Sequence, residues 1–130
     1  MLRLALAAWF ILFLFATTWP WRDVQGHAHW ERLNWVPFGG ATDGPRDMAL
    51  NALLFLPLGY LYARQSARPR ATAIARAVVA ALVLSASAEL LQVFMHNHFP
   101  TATDVVIDVI GALWGALLGR MERATGIEPV

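Results

Sequence analysis

Residues 101–119 read TATDVVIDVIGALWGALLG, a run that is long and apolar enough to cross a membrane and yet carries two carboxylates. Five residues of this run share one helical face at spacings of three and four: Asp104, Asp108, Gly111, Gly115 and Gly119. Small residues four apart allow a neighbouring helix to approach closely. The run therefore predicts a membrane helix that packs tightly through its acidic face.

The composition of the whole chain agrees with a membrane protein. Of its 130 residues, 58% are apolar and 15% are charged, which is too apolar for an ordinary soluble domain and too short for two membrane domains. The absence of cysteine excludes disulfides and thiolate sites. A formal net charge of +1 offers no concentrated basic surface for a nucleic acid. We therefore expect residues 1–130 to form a single membrane domain.

Four apolar segments predict four membrane spans, at about residues 2–19, 47–63, 71–95 and 101–119. The first segment also has the length of a cleaved signal sequence. It lacks a small-x-small cleavage site and is followed by the interfacial aromatic residues Trp19 and Trp21, so we favour a retained anchor. The expected fold class is all-α, a four-helix transmembrane bundle.

The positions of the arginines predict the orientation. Those around the second connection are Arg64, Arg68, Arg70 and Arg76, whereas the third connection contains no arginine. Arginine-rich loops are retained in the cytoplasm, so the second connection and both chain termini are expected there. Arg3 near the start of the chain and Arg120 and Arg123 near its end agree with that orientation.

On this topology the polar residues of the spans gather near their outer ends. The third span carries them along one helical face: Ser85, Glu89, Gln92 and His96. Asn51 of the second span and Asp104 and Asp108 of the fourth lie at a similar depth. If the acidic faces of the third and fourth spans meet, these side chains form a polar pocket that opens to the outer side.

Three roles are open for such a pocket. A carboxylate in the hydrocarbon region costs at least about 2.5 kcal/mol and usually has a function, so we favour a functional pocket over purely structural hydrogen bonds. Proton exchange would use the carboxyl groups as acid and base. Divalent metal binding, with His96 or His98 as a further ligand, is less favoured, and we assign no metal and no cofactor. His27 and His29 in the first loop are expected to be hydrated.

Four short motifs, in order along the chain, resemble the VanZ-like family. They are Asn34-Trp35-Val36-Pro37-Phe38, then Asn51 with Phe55-Leu56-Pro57-Leu58-Gly59, then Glu89-Leu90-Leu91-Gln92, and finally Asp104 with Gly111 and Gly115. The resemblance covers about residues 34–119. It implies a bacterial multi-pass protein of the inner membrane with a role at the cell envelope. The family takes its name from a protein associated with reduced susceptibility to teicoplanin.

Two positions depart from the pattern that the resemblance implies. Members commonly carry an arginine where this chain has His98, and an asparagine where it has Asp108. Both exchanges make the expected pocket more negative. Only a protonated His98 could replace the missing positive charge, which would make the pocket sensitive to pH.

The resulting expectation is a pocket that binds an envelope lipid, a lipid-linked cell-wall precursor or a lipophilic glycopeptide. Its residues are Asn51, Glu89, Gln92, His98, Asp104 and Asp108. In this interpretation the amides orient the ligand, Glu89 and Asp104 supply charge, and His98 gates by protonation. Two alternatives remain: an intramembrane enzyme that uses Glu89 and Asp104 as acid and base, and a structural or regulatory subunit. The oligomeric state does not follow from the sequence.

Overall fold

The computed structural model describes residues 1–19, 23–40 and 44–126. Within them the chain forms four α-helices, one short 3-10 helix and no β-strand, as the sequence predicted for the fold class. The helices are α1 (Leu2–Thr18), α2 (Pro45–Gln65), α3 (Arg70–Gln92) and α4 (Ala102–Thr125), and the 3-10 helix is Trp30–Arg32. Trp21 and residues 127–130 of the predicted domain lie outside the described residues.

The helices differ in their fitness to cross a membrane. By length and composition, α3 and α4 are long and apolar enough to do so, and α1 is apolar but shorter, with 17 residues. Helix α2 has Arg46 and Asp47 in its first turn and Arg64 in its last turn, which lowers its apolar content. Two of the four helices are thus candidate spans by this measure.

Two boundaries differ from the predicted spans by three residues or more. Helix α3 ends at Gln92 rather than Met95, because the backbone of residues 93–95 turns to bond the first loop, as in the hydrogen bond from the Gln25 amide to the Phe94 carbonyl. Helix α4 continues to Thr125, well beyond Gly119. The predicted polar tail is therefore partly helical, and its side chains bind the end of α2.

Helices α2 and α4 make the closest contact in the protein. A Cβ atom built on Gly111 would lie 2.3 Å from the Ala52 carbonyl oxygen, and one on Gly115 would lie 2.0 Å from that of Leu56. Real Cβ atoms essentially never come closer than 3.0 Å to such atoms. The glycine face of α4 thus packs against α2, while the sequence had suggested that the acidic face of α4 meets α3.

An aromatic cluster attaches α1 to the other helices. The rings of Trp9 and Phe13 are stacked with centroids 5.4 Å apart, and both meet Phe55 of α2 edge-on. The Trp9 indole also donates a hydrogen bond of 2.6 Å to the Leu54 carbonyl. Because most other side chains of α1 are exposed, this helix is held mainly through one narrow apolar face.

The two ends of the protein have different chemistry. The arginine end, defined by Arg64, Arg68 and Arg70 around the α2–α3 connection, also contains the start of α1 and the end of α4. Gln65 donates to the Leu2 carbonyl, and Arg120 donates to the Ser66 carbonyl at 3.1 Å. The loop end, defined by residues 23–40 and 93–101, is opposite. The start of α1 and the end of α4 therefore lie at the same end as the arginine-rich connection.

Candidate functional site

At the loop end, the first loop is joined to the α3–α4 connection by backbone hydrogen bonds. The amide of Asn34 donates to the Pro100 carbonyl at 3.0 Å, and the amide of Ala102 returns a bond of 2.8 Å to the Asn34 carbonyl. Further along the loop, the Phe38 amide donates to the Thr103 hydroxyl oxygen at 2.8 Å. These bonds hold the Asn34–Phe38 segment at the N-terminus of α4.

Glu89 is buried at this N-terminus, with 8% of its surface exposed. Its Oε2 accepts a 2.7 Å hydrogen bond from the backbone amide of Thr101, the N-cap residue of α4. The Thr101 hydroxyl in turn accepts from the Asp104 amide at 3.1 Å. A carboxylate at this place satisfies a buried amide and interacts favourably with the helix dipole.

Asp104 is half-buried and connects α4 to α2. Its Oδ1 accepts a 2.7 Å hydrogen bond from the Asn51 side-chain amide. Asn51 and Asp104 are 53 residues apart in sequence, so this contact fixes the register of two helices that are distant along the chain.

Asp108 connects α4 to α3 and is only 6% exposed. Its Oδ2 accepts a 2.6 Å hydrogen bond from the Ser85 hydroxyl. Its Oδ1 is buried and has no hydrogen-bond partner among the described residues. Buried polar atoms are usually paired, so this oxygen is an exception in the described structure.

Glu89, Asp104 and Asp108 together form what we call the acidic cluster. The three carboxyl groups are close enough to repel one another. Glu89 and Asp108 accept from an amide and a hydroxyl, and within the described parts of the chain neither forms an ion pair with an arginine or histidine. The cluster therefore presents closely spaced acceptor oxygens at one depth between α2, α3 and α4, and the repulsion between its carboxyl groups opposes ionisation of all three at once.

A family model described as VanZ/LLP1 matches residues 2–122 of the chain. The chain belongs to the VanZ/LLP1 family. The match includes α1 and most of α4, whereas the motifs quoted from the sequence extend over about residues 34–119. No curated protein and no solved structure matches the chain. Family membership and the two long apolar helices indicate a membrane protein.

In this VanZ-like protein, Gln92 lies apart from the acidic cluster. Its side-chain amide donates to the Thr17 carbonyl of α1 at 3.2 Å. The expected polar face of α3 is thus divided, because Ser85 and Glu89 face α4 while Gln92 reaches α1.

The two departures from the family pattern have different surroundings. Asp108 is part of the acidic cluster, as described above. His98 is half-buried in the α3–α4 connection, and its buried Nδ1 has no hydrogen-bond partner in the described residues. No hydrogen bond or ion pair of His98 with a cluster carboxylate is present among those residues. Of the six residues expected to line the pocket, the structure therefore brings four together: Asn51, Glu89, Asp104 and Asp108.

The histidines of the first loop are arranged differently from the expectation. His29, expected to be hydrated, is 8% exposed, and its ring lies 4.7 Å from that of His27 and 5.7 Å from that of His96 between centroids. Glu31 accepts from its own backbone and faces His29, and these contacts lower the pKa of Glu31. In the described residues, no group of three or more His, Asp or Glu side chains is arranged to hold a metal ion.

Thr101 is the residue of the site that sequence reasoning missed. Its signal was present, because a threonine three residues before an acidic residue, at the start of an apolar helix, is a common N-cap pattern. In this protein the same threonine joins Glu89 to Asp104 through its amide and its hydroxyl.

Proposed function

We propose that this VanZ-like chain is a four-span protein of the bacterial inner membrane, with the loop end outside the cell and the arginine end in the cytoplasm. The arginine-rich connection supports this orientation through the positive-inside rule. The contacts of Gln65 with Leu2 and of Arg120 with Ser66 place the start of α1 and the end of α4 at that same end.

We further propose that the acidic cluster binds an envelope molecule through hydrogen-bond donors of that molecule. The observation that carries this proposal is the buried Oδ1 of Asp108, an acceptor without a protein donor, beside two further carboxyl groups. Hydroxyl, amide and ammonium groups complement such a site, whereas a phosphate would be repelled.

The ligand classes that fit are a lipid headgroup rich in hydroxyl or amine groups, the sugar and peptide part of a lipid-linked cell-wall precursor, and a lipophilic glycopeptide such as teicoplanin. Asp108 would accept directly from the ligand. Asn51 would hold Asp104 in place, and Thr101 would hold Glu89. Gln92, which is bonded to α1, and His98 are outside this set of direct contacts.

A structural role is the main alternative, and specific contacts support it. Glu89 caps the first turn of α4, and the Asn51–Asp104 bond joins α2 to α4. An enzyme is a second alternative, supported by the joint attachment of Glu89 and Asp104 to Thr101, which brings an acid and a base near one another.

The deciding experiment separates folding from phenotype. Asp108→Asn keeps the shape of the side chain and an acceptor for Ser85, and it removes the charge. We expect this variant to insert and purify as well as the parent protein. Cells that produce it should no longer show the change in susceptibility to envelope-acting antibiotics that the parent protein confers, and the purified variant should no longer bind teicoplanin. Asp47→Asn is the matched control, because Asp47 is an exposed carboxylate outside the cluster.

Each other outcome has a clear meaning. If Asp108→Asn, Asp104→Asn and Glu89→Gln all insert and keep the parental phenotype and binding, the cluster is structural and the binding proposal is wrong. Turnover of a lipid-linked substrate by the parent protein that is lost in Glu89→Gln would instead establish an enzyme.

A further inference from the structure

An open groove of about 570 Å³ runs along α3 next to the end of α2, in the half of the protein near the arginine end. Most of its surface is apolar and comes from aliphatic side chains of α3, including Val79, Val83 and Leu84. The polar groups on its lining belong to Tyr62, Thr72 and Arg76. The groove therefore combines a long apolar wall with one permanent positive charge.

Arg76 is the unusual member of this lining. It lies six residues after Arg70, the first residue of α3, and so about 9 Å into the helix at 1.5 Å per residue. Its side chain is exposed and makes no hydrogen bond or ion pair with any residue in the described part of the chain. An arginine at this depth on a lipid-facing surface needs an anionic partner or must extend to the headgroup level.

We propose that the groove binds an anionic phospholipid, with an acyl chain against Val79, Val83 and Leu84 and the phosphate on Arg76. Charge complementarity supports this occupant. Arg68 and Arg70, both exposed at the nearby connection, add to the positive potential at the headgroup level. Basic pockets between membrane helices on the cytoplasmic side are typical sites for anionic headgroups.

Among the described residues, the acidic group at the arginine end is Glu122, and it is already bound by other side chains. Glu122 at the arginine end is bound by the Arg64 guanidinium at 2.6 Å and by the Tyr60 hydroxyl at 2.5 Å. The acidic cluster lies at the opposite end of the helices. The lipid site thus depends on the membrane placement proposed above and is independent of the ligand proposed for the acidic cluster.

The test compares two lipids that share their acyl chains and differ in the headgroup, one anionic and one with no net charge. Purified full-length protein in detergent is mixed with phosphatidylglycerol or with phosphatidylcholine of the same acyl chains, and bound lipid is counted by native mass spectrometry. We expect the parent protein to retain phosphatidylglycerol preferentially. Arg76→Gln should reduce that retention about fivefold, the factor that one arginine near an anionic surface supplies.

Three further variants make the result specific. Ala75→Trp places a large ring on an exposed position of the groove lining and should displace the lipid while Arg76 remains. Arg46→Gln, at an exposed arginine of the opposite end, should retain lipid like the parent protein. Arg68→Gln should weaken retention less than Arg76→Gln.

The proposal is overturned by equal retention of the two lipids, by unchanged retention in Arg76→Gln, or by equal losses in Arg68→Gln and Arg76→Gln, which would indicate a diffuse charge effect. A dimer that dissociates in Ala75→Trp and carries no lipid would overturn it as well and would assign the groove to a second copy of the chain. Because Arg76 and Ala75 are exposed, both variants should fold like the parent protein. Their melting temperatures in detergent check this.

Discussion

The carbonyl oxygen of Leu56 on α2 lies 2.0 Å from the point where a Cβ atom on Gly115 of α4 would stand. The two backbones are therefore in direct contact, and no side chain larger than hydrogen fits between them. Gly59 shows the same relation in the other direction, because its Cβ would lie 1.8 Å from the Ala112 carbonyl oxygen.

Gly115→Ala should consequently destabilise the folded protein. Separating two packed backbones by a methyl group costs about 1–3 kcal/mol or more. We expect a large loss of monodisperse protein after detergent extraction and a lower melting temperature. Trp114→Leu, at a neighbouring residue with 61% exposure, is the control and should leave both unchanged. Equal effects at Trp114 and Gly115 would contradict the contact.

Asn51→Ala removes the donor that binds Asp104 across α2 and α4. Loss of a hydrogen bond to a partly buried carboxylate costs about 1–3 kcal/mol, so the melting temperature should fall. Asn97→Ala provides the comparison, since Asn97 also donates to an aspartate, at 3.0 Å, but from an exposed position. A smaller effect for Asn51 than for Asn97 would show that the buried bond is not stabilising.

Asp108→Asn should raise the melting temperature, because it removes a buried acidic group that is costly to ionise beside Asp104 and whose Oδ1 has no donor among the described residues, and it retains an acceptor for Ser85. Ser85→Ala should lower the melting temperature, since it leaves the second oxygen of Asp108 without its donor. The expected loss of unfolding free energy is about 1–3 kcal/mol. Thermal unfolding of both variants in the same detergent tests this pair. A decrease for Asp108→Asn would mean that the charged form is satisfied by a group on the protein.

Glu122→Ala removes the acceptor shared by Arg64 and Tyr60 at the arginine end. The Arg64 side chain is 7% exposed and that of Glu122 is 44% exposed, so the cost should be about 1–2 kcal/mol, below that of a fully buried pair. Glu31→Ala, which breaks the His29–Glu31 contact at an exposed carboxylate, should leave the melting temperature unchanged. A larger loss of stability in Glu31→Ala than in Glu122→Ala would show that the Glu122 contacts do not stabilise the fold.

Phe38 has a backbone φ of 60°, in the left-handed region that bulky residues rarely adopt. Phe38→Gly and Phe38→Ala both remove the ring, and they differ in the strain that remains. The glycine variant should be at least as stable as the alanine variant, since glycine adopts this conformation without a steric cost. At Val36, which has no such φ, alanine should be the more stable of the two. If the stability difference between the glycine and alanine variants is the same at positions 36 and 38, the backbone conformation of Phe38 has no energetic cost.

Much of the fold follows from the apolar segments and the glycine spacing. The four helices arise from four apolar runs, and Gly111, Gly115 and Gly119 lie on one face of α4, as their spacing requires. Which helix they meet does not follow from that spacing. Helix α2 is the partner because Gly59 adds a second place of close approach, whereas α3 presents alanines at 73, 77 and 81.

The candidate site was less predictable. Helical spacing shows which residues share a face, but it does not show which neighbouring helix each residue of that face contacts. Glu89 and Gln92 are three residues apart, but they serve different neighbours, α4 and α1, since α3 lies between these helices. The end of α3 also depended on a distant segment. The residues that follow it, 93–96, pair with the backbone of the first loop, a contact that no local pattern encodes.

The pairing of α2 with α4 has a consequence for biosynthesis. Asn51 leaves the ribosome 53 residues before Asp104, and the carbonyl groups of Ala52 and Leu56 leave it 59 residues before Gly111 and Gly115, the glycines that contact them. Until the final segment has been translated, α2 lacks the helix against which its backbone packs. A nascent chain released before that point would expose the face of α2 that α4 covers, the kind of surface that quality-control proteases recognise.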